Sequence, residues 1–175
     1  MIVAAPAILL ALAAVAAFGL RKRLADVTWL CLGALLAAVV LVSVTPADTT
    51  GRLFDLDLRA TGLGKLAGLV LLAIVGMLVV DVAVDEPAYN FFPTALAVAS
   101  VTLAVLVVTS PVVIFALILT GSLFPIGSFT FQVHRNRSVE AAVRHFAFVV
   151  LGGSLGLGAN ATNRSTTRST SVLAG

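Results

Sequence analysis

The chain has 175 residues and a mass of 17.9 kDa, a size that usually corresponds to one soluble domain. Its composition excludes that class, because 60% of the residues are hydrophobic, only 11% are charged and the mean hydropathy is +1.13. The net charge of +3 comes from 11 basic residues scattered among short loops, which form no face able to follow a phosphate backbone. The sequence therefore predicts a membrane protein that does not bind nucleic acid.

Apolar runs in the first half of the chain predict three membrane-spanning helices, near residues 2–20, 28–44 and 63–84, and the third has Lys65 and Asp81 near its two ends. The first run has no basic segment before it and is followed by a basic cluster at 21–23, a pattern typical of a retained helix rather than a cleaved signal peptide. Between the second and third helices, apolar and acidic residues partly alternate at 53–58, as in a short strand. We therefore expect a small external hairpin or loop there.

The apolar stretch at 91–131 would be about 60 Å long as one helix, twice the hydrocarbon thickness of about 30 Å. Pro111 lies at its middle and disfavours helix in the residue before it. We therefore expect two helices, near 91–109 and 112–131, joined by a tight turn. A further apolar run at 139–157 predicts a sixth helix.

These segments together predict an all-α fold, a polytopic membrane protein whose residues 1–158 form a bundle of about six transmembrane helices. At 159–175 the chain changes to a polar tail that we expect to be disordered. The basic cluster at 21–23 flanks the first helix and is expected in the cytoplasm, which puts the N-terminus outside. We expect a multi-pass protein of the cell membrane, of the prokaryotic plasma-membrane type, in contact with the lipid bilayer.

Neither a metal site nor a cofactor site is predicted. Cys31 is the single cysteine and lies in an apolar run, which excludes a cysteine-based metal or iron–sulfur site. His134 and His145 lack acidic or cysteine partners at ligand spacing. No serine, cysteine or aspartate is placed with a base in a way that suggests nucleophilic catalysis, so we expect no catalytic centre.

Residues 62–67, Gly-Leu-Gly-Lys-Leu-Ala, have the form of a dinucleotide-binding fingerprint. The context of such a site is missing, because an apolar helix follows these residues and no later βαβ unit is predicted. We therefore interpret the small residues as a place where helices pack closely.

Two ionisable sites are candidates for a proton path. Asp81 is the carboxylate most able to lie within the membrane, where ionisable groups are costly and usually functional. Asp85 follows closely, however, which favours an acidic cap at the membrane interface, with Lys65 snorkelling at the other end of the helix. Glu140 and Arg144 have the spacing and order of an ion pair on one helix face. They form either a surface pair or, if neighbouring helices cover them, a buried polar element able to carry a proton.

Three motifs follow one another in the second half of the chain. They are Phe124-Pro125 late in one helix, a basic loop at 134–137, and the segment 137–146, Arg-Ser-Val-Glu-Ala-Ala-Val-Arg-His-Phe, which opens a Gly/Ala/Ser-rich helix. This region, 110–158, resembles the fifth and sixth helices of the antiporter-like membrane subunits of respiratory complex I. The likeness is greatest to the NADH-quinone oxidoreductase subunit N type, which is related to Mrp cation antiporters. In that family the last segment looks like Arg/Ser-x-Glu-Ala-x-x-Lys-Tyr.

The resemblance implies a non-redox membrane subunit, or a truncated remnant of one, in an NADH-quinone oxidoreductase-like complex that translocates protons. The chain is similar only to the N-terminal third of such subunits, which continue through further helices that include a broken helix with a central lysine. The implied partners are other membrane subunits of a respiratory-type electron-transport complex, with an indirect link to quinone. The proton-path candidates are then Glu140, Arg144, Asp81 and Thr120, and the helix-packing positions are Gly152, Gly156 and Pro125.

Thr120 marks a departure from the family pattern. It stands five residues before Pro125, where the family usually places a membrane-buried glutamate. A threonine hydroxyl can bond back to a carbonyl one turn earlier, but it does not titrate near neutral pH. A structural or assembly membrane protein without transport activity is therefore the alternative function. An independent small transporter is a third hypothesis, and the low number of intramembrane charges disfavours it.

Overall fold

In the computed structural model, the described residues are 2–20, 22–85 and 91–130. They form a mostly helical structure with one small antiparallel sheet. The elements are a 3₁₀ turn (Ile2–Ala4), α1 (Ala5–Leu20), α2 (Leu24–Val44), β1 (Thr50–Leu53), β2 (Leu56–Arg59), α3 (Gly62–Asp85), α4 (Phe91–Val107) and α5 (Pro111–Thr130). The predicted sixth helix at 139–157 and the polar tail at 159–175 lie outside the described residues.

Three of the described helices are long and apolar enough to cross a membrane. The apolar segments are Ile2–Leu20, which joins the 3₁₀ turn to α1, Ala25–Val44 in α2 and Gly62–Ala83 in α3. α4 and α5 are also apolar, but their segments Phe91–Val107 and Pro111–Phe124 are shorter. The prediction of a helical, strongly apolar protein is therefore confirmed, whereas a count of six spans is not.

Two helix boundaries differ from the predicted ones. α2 begins at Leu24, before its predicted start, so its first turn includes Asp26, whose negative charge suits the positive end of the helix dipole. α4 ends at Val107, because Val108 leaves the helix and forms an isolated β-bridge with Leu58. Pairing with a distant segment thus shortens α4, which its apolar sequence could not indicate.

α4 lies at the centre of the helix arrangement, where it packs against α1, α3 and α5. α2 packs against α1 and α3, so α1 to α4 surround a shared core while α5 lies on the outside of α4. The fully buried side chains of this core include Leu10, Cys31, Val79, Phe92 and Leu96. Among the described residues, the buried polar side chains are Thr45, Ser100 and Ser122. The described core therefore contains hydroxyls but no charged group.

Two glycines bring α3 close to α4. A Cβ atom on Gly64 would lie 3.2 Å from the backbone oxygen of Leu106, and one on Gly68 would lie 3.1 Å from a methyl group of Leu103. These glycines are four residues apart on α3, the spacing by which small residues let membrane helices approach each other. The interpretation of the 62–67 segment as a place of close helix packing is confirmed at Gly64.

The outer surface of the described helices carries many large apolar side chains. Large hydrophobic side chains that are more than half exposed occur on each of α1, α2, α3 and α5, and include Leu12, Val15, Trp29, Leu36, Leu66, Met77 and Val112. A helix that is hydrophobic on every side is either buried in a large protein or surrounded by lipid. The described helices thus have large apolar side chains on their outer surface as well as in their core.

Candidate functional site

A β-hairpin covers one end of the helix bundle. β1 and β2 pair antiparallel with Gly51 opposite Leu58 and Leu53 opposite Leu56, and alternation puts these residues on the side that faces the helices. Leu58 is only 3% exposed and lies in a cluster with Val3, Ala4 and Ala60. The predicted hairpin between the second and third helices is confirmed, and its apolar face closes what we call the hairpin end of the bundle.

Ion pairs occupy the outer face of the hairpin. Arg52 Nε donates to Asp57 Oδ1 at 2.8 Å across the two strands, and Arg59 Nη2 donates to Asp48 Oδ1 at 3.2 Å. The hydrogen bond to Asp57, together with its negative charge, raises the pKa of the Arg52 guanidinium above its ordinary value. Because its pKa is raised, the Arg52 guanidinium stays charged at every pH below its ordinary pKa and loses its proton only at more alkaline pH. Because both pairs are exposed to solvent, they contribute little to stability.

Three connections of the chain meet at the hairpin end. The 3₁₀ turn that precedes α1 contacts both strands. Thr109, between α4 and α5, donates to the carbonyl oxygen of Asp57 from its backbone nitrogen at 3.3 Å and from its hydroxyl at 2.8 Å. The N-terminus, the α2–α3 connection and the α4–α5 connection therefore lie on one side, as expected for helices that cross the same layer in alternating directions.

Lys65 caps the C-terminus of α2. Its ammonium group donates to the carbonyl oxygen of Ser43 at 3.2 Å and to that of Thr45. The last carbonyls of a helix have no partner within the helix and carry the negative end of its dipole, so a cation binds well there. A cavity of about 30 Å³ lies beside Lys65, between apolar side chains and the hydroxyl-bearing Thr45 and Thr61. That volume holds about one water molecule and is far too small for a quinone ring.

Ser100 links α4 to α1 inside the core. Its hydroxyl donates to the carbonyl oxygen of Ala7 at 2.7 Å, and Ser100 is 7% exposed. Sequence analysis missed this residue, because a lone serine in an apolar run does not indicate which helix it faces. Hydrogen bonds of this kind join membrane helices that otherwise pack through apolar contacts.

Asp81 lies near the C-terminus of α3, at the end of the bundle opposite the hairpin, and its side chain is exposed. It borders an open groove of about 620 Å³ between α2 and α3, whose other lining residues are apolar. No hydrogen bond or ion pair joins Asp81 to any residue of 2–20, 22–85 or 91–130. Among the described residues, Asp81 is thus a carboxylate without a partner beside an apolar groove.

Thr120 lies on α5 and is also exposed. Its hydroxyl donates to the carbonyl oxygen of Ala116 at 2.8 Å, one turn earlier in the same helix. α5 continues past Pro125 to Thr130. Because Asp81 is on α3 and both helices pack against the intervening α4, the structure does not bring Thr120 and Asp81 into one site.

The remaining sequence candidates, Glu140, Arg144, Gly152 and Gly156, lie outside the described residues. Within the described ones, no group of three or more histidine, cysteine, aspartate or glutamate side chains is arranged to hold a metal ion. The described residues form an apolar helix bundle with a polar hairpin at one end. At the other end is a groove beside the carboxylate of Asp81, which has no partner among these residues.

The roles of Lys65 and of the α2–α3 groove were missed by sequence reasoning. A weak signal for Lys65 existed, because it lies in the first turn of α3, shortly after the polar connection that follows α2. The groove had no sequence signal, since it depends on how far apart the two helices lie. Comparisons of the chain with family models, with characterised proteins and with solved structures gave no match.

Proposed function

We propose that this chain is an integral, multi-pass membrane protein and a non-redox subunit of an NADH-quinone oxidoreductase-like, proton-translocating complex, with its N-terminus outside. In this proposal the described helices are a scaffold and do not carry protons. The observation that carries the scaffold role is the described core, whose buried polar side chains are hydroxyls. Such a core offers no carboxylate, amine or imidazole that gains and loses a proton near neutral pH.

The membrane location is supported by the length of the helices and by their surface. The apolar segments formed by α1 with its preceding 3₁₀ turn, by α2 and by α3 are 19, 20 and 22 residues long, which matches the about 20 residues that cross a hydrocarbon core. Exposed side chains such as Leu12, Leu36 and Met77 would be unfavourable in water, whereas acyl chains cover them at no cost.

The outer face of α5 supports a place in a larger assembly. Val112, Ala116 and Thr120 are exposed on this helix, which packs on α4 at the edge of the bundle. Alanine and threonine are among the residues through which membrane helices contact each other. The region that resembles the respiratory subunits begins with this helix, so we place the contact with neighbouring subunits here.

The proposal is tested by co-purification of the full tagged chain from its native membrane in a mild detergent. We expect it to migrate with a large complex that reduces quinone with NADH. Ala116→Trp, on the outer face of α5, should lower recovery of the partner subunits. Leu12→Trp, on the exposed face of α1, is the matched control and should leave recovery unchanged.

The alternative is a structural or assembly membrane protein outside any redox complex. Thr120 favours it, because a hydroxyl bonded to its own helix stands where the resembling family has a titratable carboxylate. Recovery of the tagged chain with partners that include no redox subunit would support this alternative and contradict the first proposal.

A further inference from the structure

The α2–α3 groove is open only in the half of the bundle that lies away from the hairpin. Its floor includes Leu35 and Leu72, which are 4% and 2% exposed, and its rims include Leu36 and Met77, which are 68% and 76% exposed. Towards the hairpin, α2 and α3 are in contact and leave no groove between them. Lys65 donates hydrogen bonds to the end of α2, and a Cβ atom on Gly68 would lie 3.9 Å from a methyl group of Val42.

The length of the groove corresponds to one leaflet of a bilayer. Along α3 it extends from Leu72 to Asp81, which is about 13 Å at a rise of 1.5 Å per residue. One leaflet contributes half of a hydrocarbon core of about 30 Å. A transmembrane helix from a partner would need a groove along the whole of α2 and α3, so the closed hairpin half favours a single acyl chain.

Asp81 supplies a charge at the outer end of the groove. It lies close to the end of the apolar segment Gly62–Ala83, at the depth where a lipid headgroup begins. Its carboxylate has no partner among the described residues and is exposed beside the groove. A carboxylate is complementary in charge to an ammonium group. A primary ammonium also has N–H donors, so it forms a charge-assisted hydrogen bond with the carboxylate.

We propose that the α2–α3 groove binds one phospholipid with a primary ammonium headgroup, with an acyl chain between Leu35 and Leu72 and the ammonium on Asp81. Gly76 is the residue that leaves room for the chain, because a Cβ atom built on it has no heavy atom within 4 Å. This inference rests on the proposed membrane location, but it does not depend on which complex the protein joins.

The test is native mass spectrometry of the full chain in detergent with added phosphatidylethanolamine, phosphatidylcholine or phosphatidylglycerol of identical acyl chains. We expect wild-type protein to retain phosphatidylethanolamine up to about fivefold better than phosphatidylcholine, the range of an exposed ion pair. Phosphatidylcholine is the critical comparison, because its quaternary ammonium has no N–H to donate. Asp81→Asn should make retention of the two lipids equal, whereas Asp26→Asn, at the same end of the bundle, should not.

Gly76→Leu should fill the groove and lower retention of all three lipids. Gly33→Leu is its matched control on α2, because a Cβ atom there also meets nothing within 4 Å and Gly33 does not line the groove. Equal retention of the three lipids by wild-type protein, or unchanged retention by Gly76→Leu, would overturn the inference. So would a photo-crosslinker at Met77 that labels a partner polypeptide instead of lipid.

Carbonate extraction of membranes separates the two proposals. Release of the chain by carbonate would overturn the membrane location and the lipid site together. Retention of the chain in the membrane without any preference for an ammonium lipid would overturn the lipid site alone.

Discussion

The Ser100 hydroxyl of α4 donates to the Ala7 carbonyl oxygen of α1 at 2.7 Å, within the apolar core. The two residues are 93 positions apart, and the bond ties the first described helix to the central one. Because the core has no charged group and few hydroxyls among the described residues, this bond is a main polar contact between helices.

Ser100→Ala should destabilise the protein by about 0.6 kcal/mol, with an upper limit of about 1.7 kcal/mol, because hydrogen bonds between membrane helices contribute that much. The measurement is unfolding by denaturing detergent, followed by circular dichroism. Ser122→Ala is the control, because Ser122 is also buried but its hydroxyl bonds to the carbonyl oxygen of Ile118 in its own helix. Equal destabilisation by both variants would show that the link between helices is not what stabilises the fold.

Two glycines of α3 should respond oppositely to alanine. Gly64→Ala should destabilise the protein, because its Cβ atom would lie 2.9 Å from the Thr61 hydroxyl oxygen and 3.2 Å from the backbone oxygen of Leu106. The cost of such overpacking is about 1–3 kcal/mol. Gly76→Ala meets nothing within 4 Å and should stabilise the helix by up to about 1 kcal/mol. Thermal unfolding in detergent measures both, and destabilisation by Gly76→Ala would contradict the open groove at that position.

Labelling of single cysteines tests the orientation. In a Cys31→Ala background, a membrane-impermeant thiol reagent added from outside should modify Thr50→Cys in the hairpin and spare Lys22→Cys. The reason is that the basic residues after the first helix favour the cytoplasmic side. Permeabilised membranes provide the control, since both positions should then react. The reverse pattern in intact cells would invert the orientation.

The isolated chain should conduct no protons in liposomes with an imposed pH gradient. Under the proposed function, Thr120 stands where the family has a glutamate, and its hydroxyl is bonded to Ala116 and does not titrate near neutral pH. The flux should therefore equal that of empty liposomes, and Thr120→Val should not change it. Specific flux that is abolished by Asp81→Asn and unaffected by Thr120→Val would instead identify Asp81 as the titrating group.

Local sequence determined the secondary structure of the described part. Long apolar runs predicted α1, α2 and α3. Pro111 divided the apolar stretch at 91–131 into two helices, because proline cannot continue the preceding helix. The alternation at 53–58 predicted a short strand within a hairpin or loop; the hairpin is present, but Phe54 and Asp55 form its turn, so this segment is not one strand. These features follow from interactions between residues close in sequence, or between each residue and its solvent, so they can be recognised without knowledge of the fold.

Only the tertiary structure decided which helices are neighbours and what lies between them. The helices are apolar on every side, so their sequences contain no face that indicates the core, and the central position of α4 could not be predicted. Three features depend on separations of a few ångströms between distant segments: the contact of Lys65 with Thr45, the bridge between Leu58 and Val108, and the position of Asp81 beside the α2–α3 groove. The sequence supplied the side chains of this groove, but only helix packing placed them around one open space.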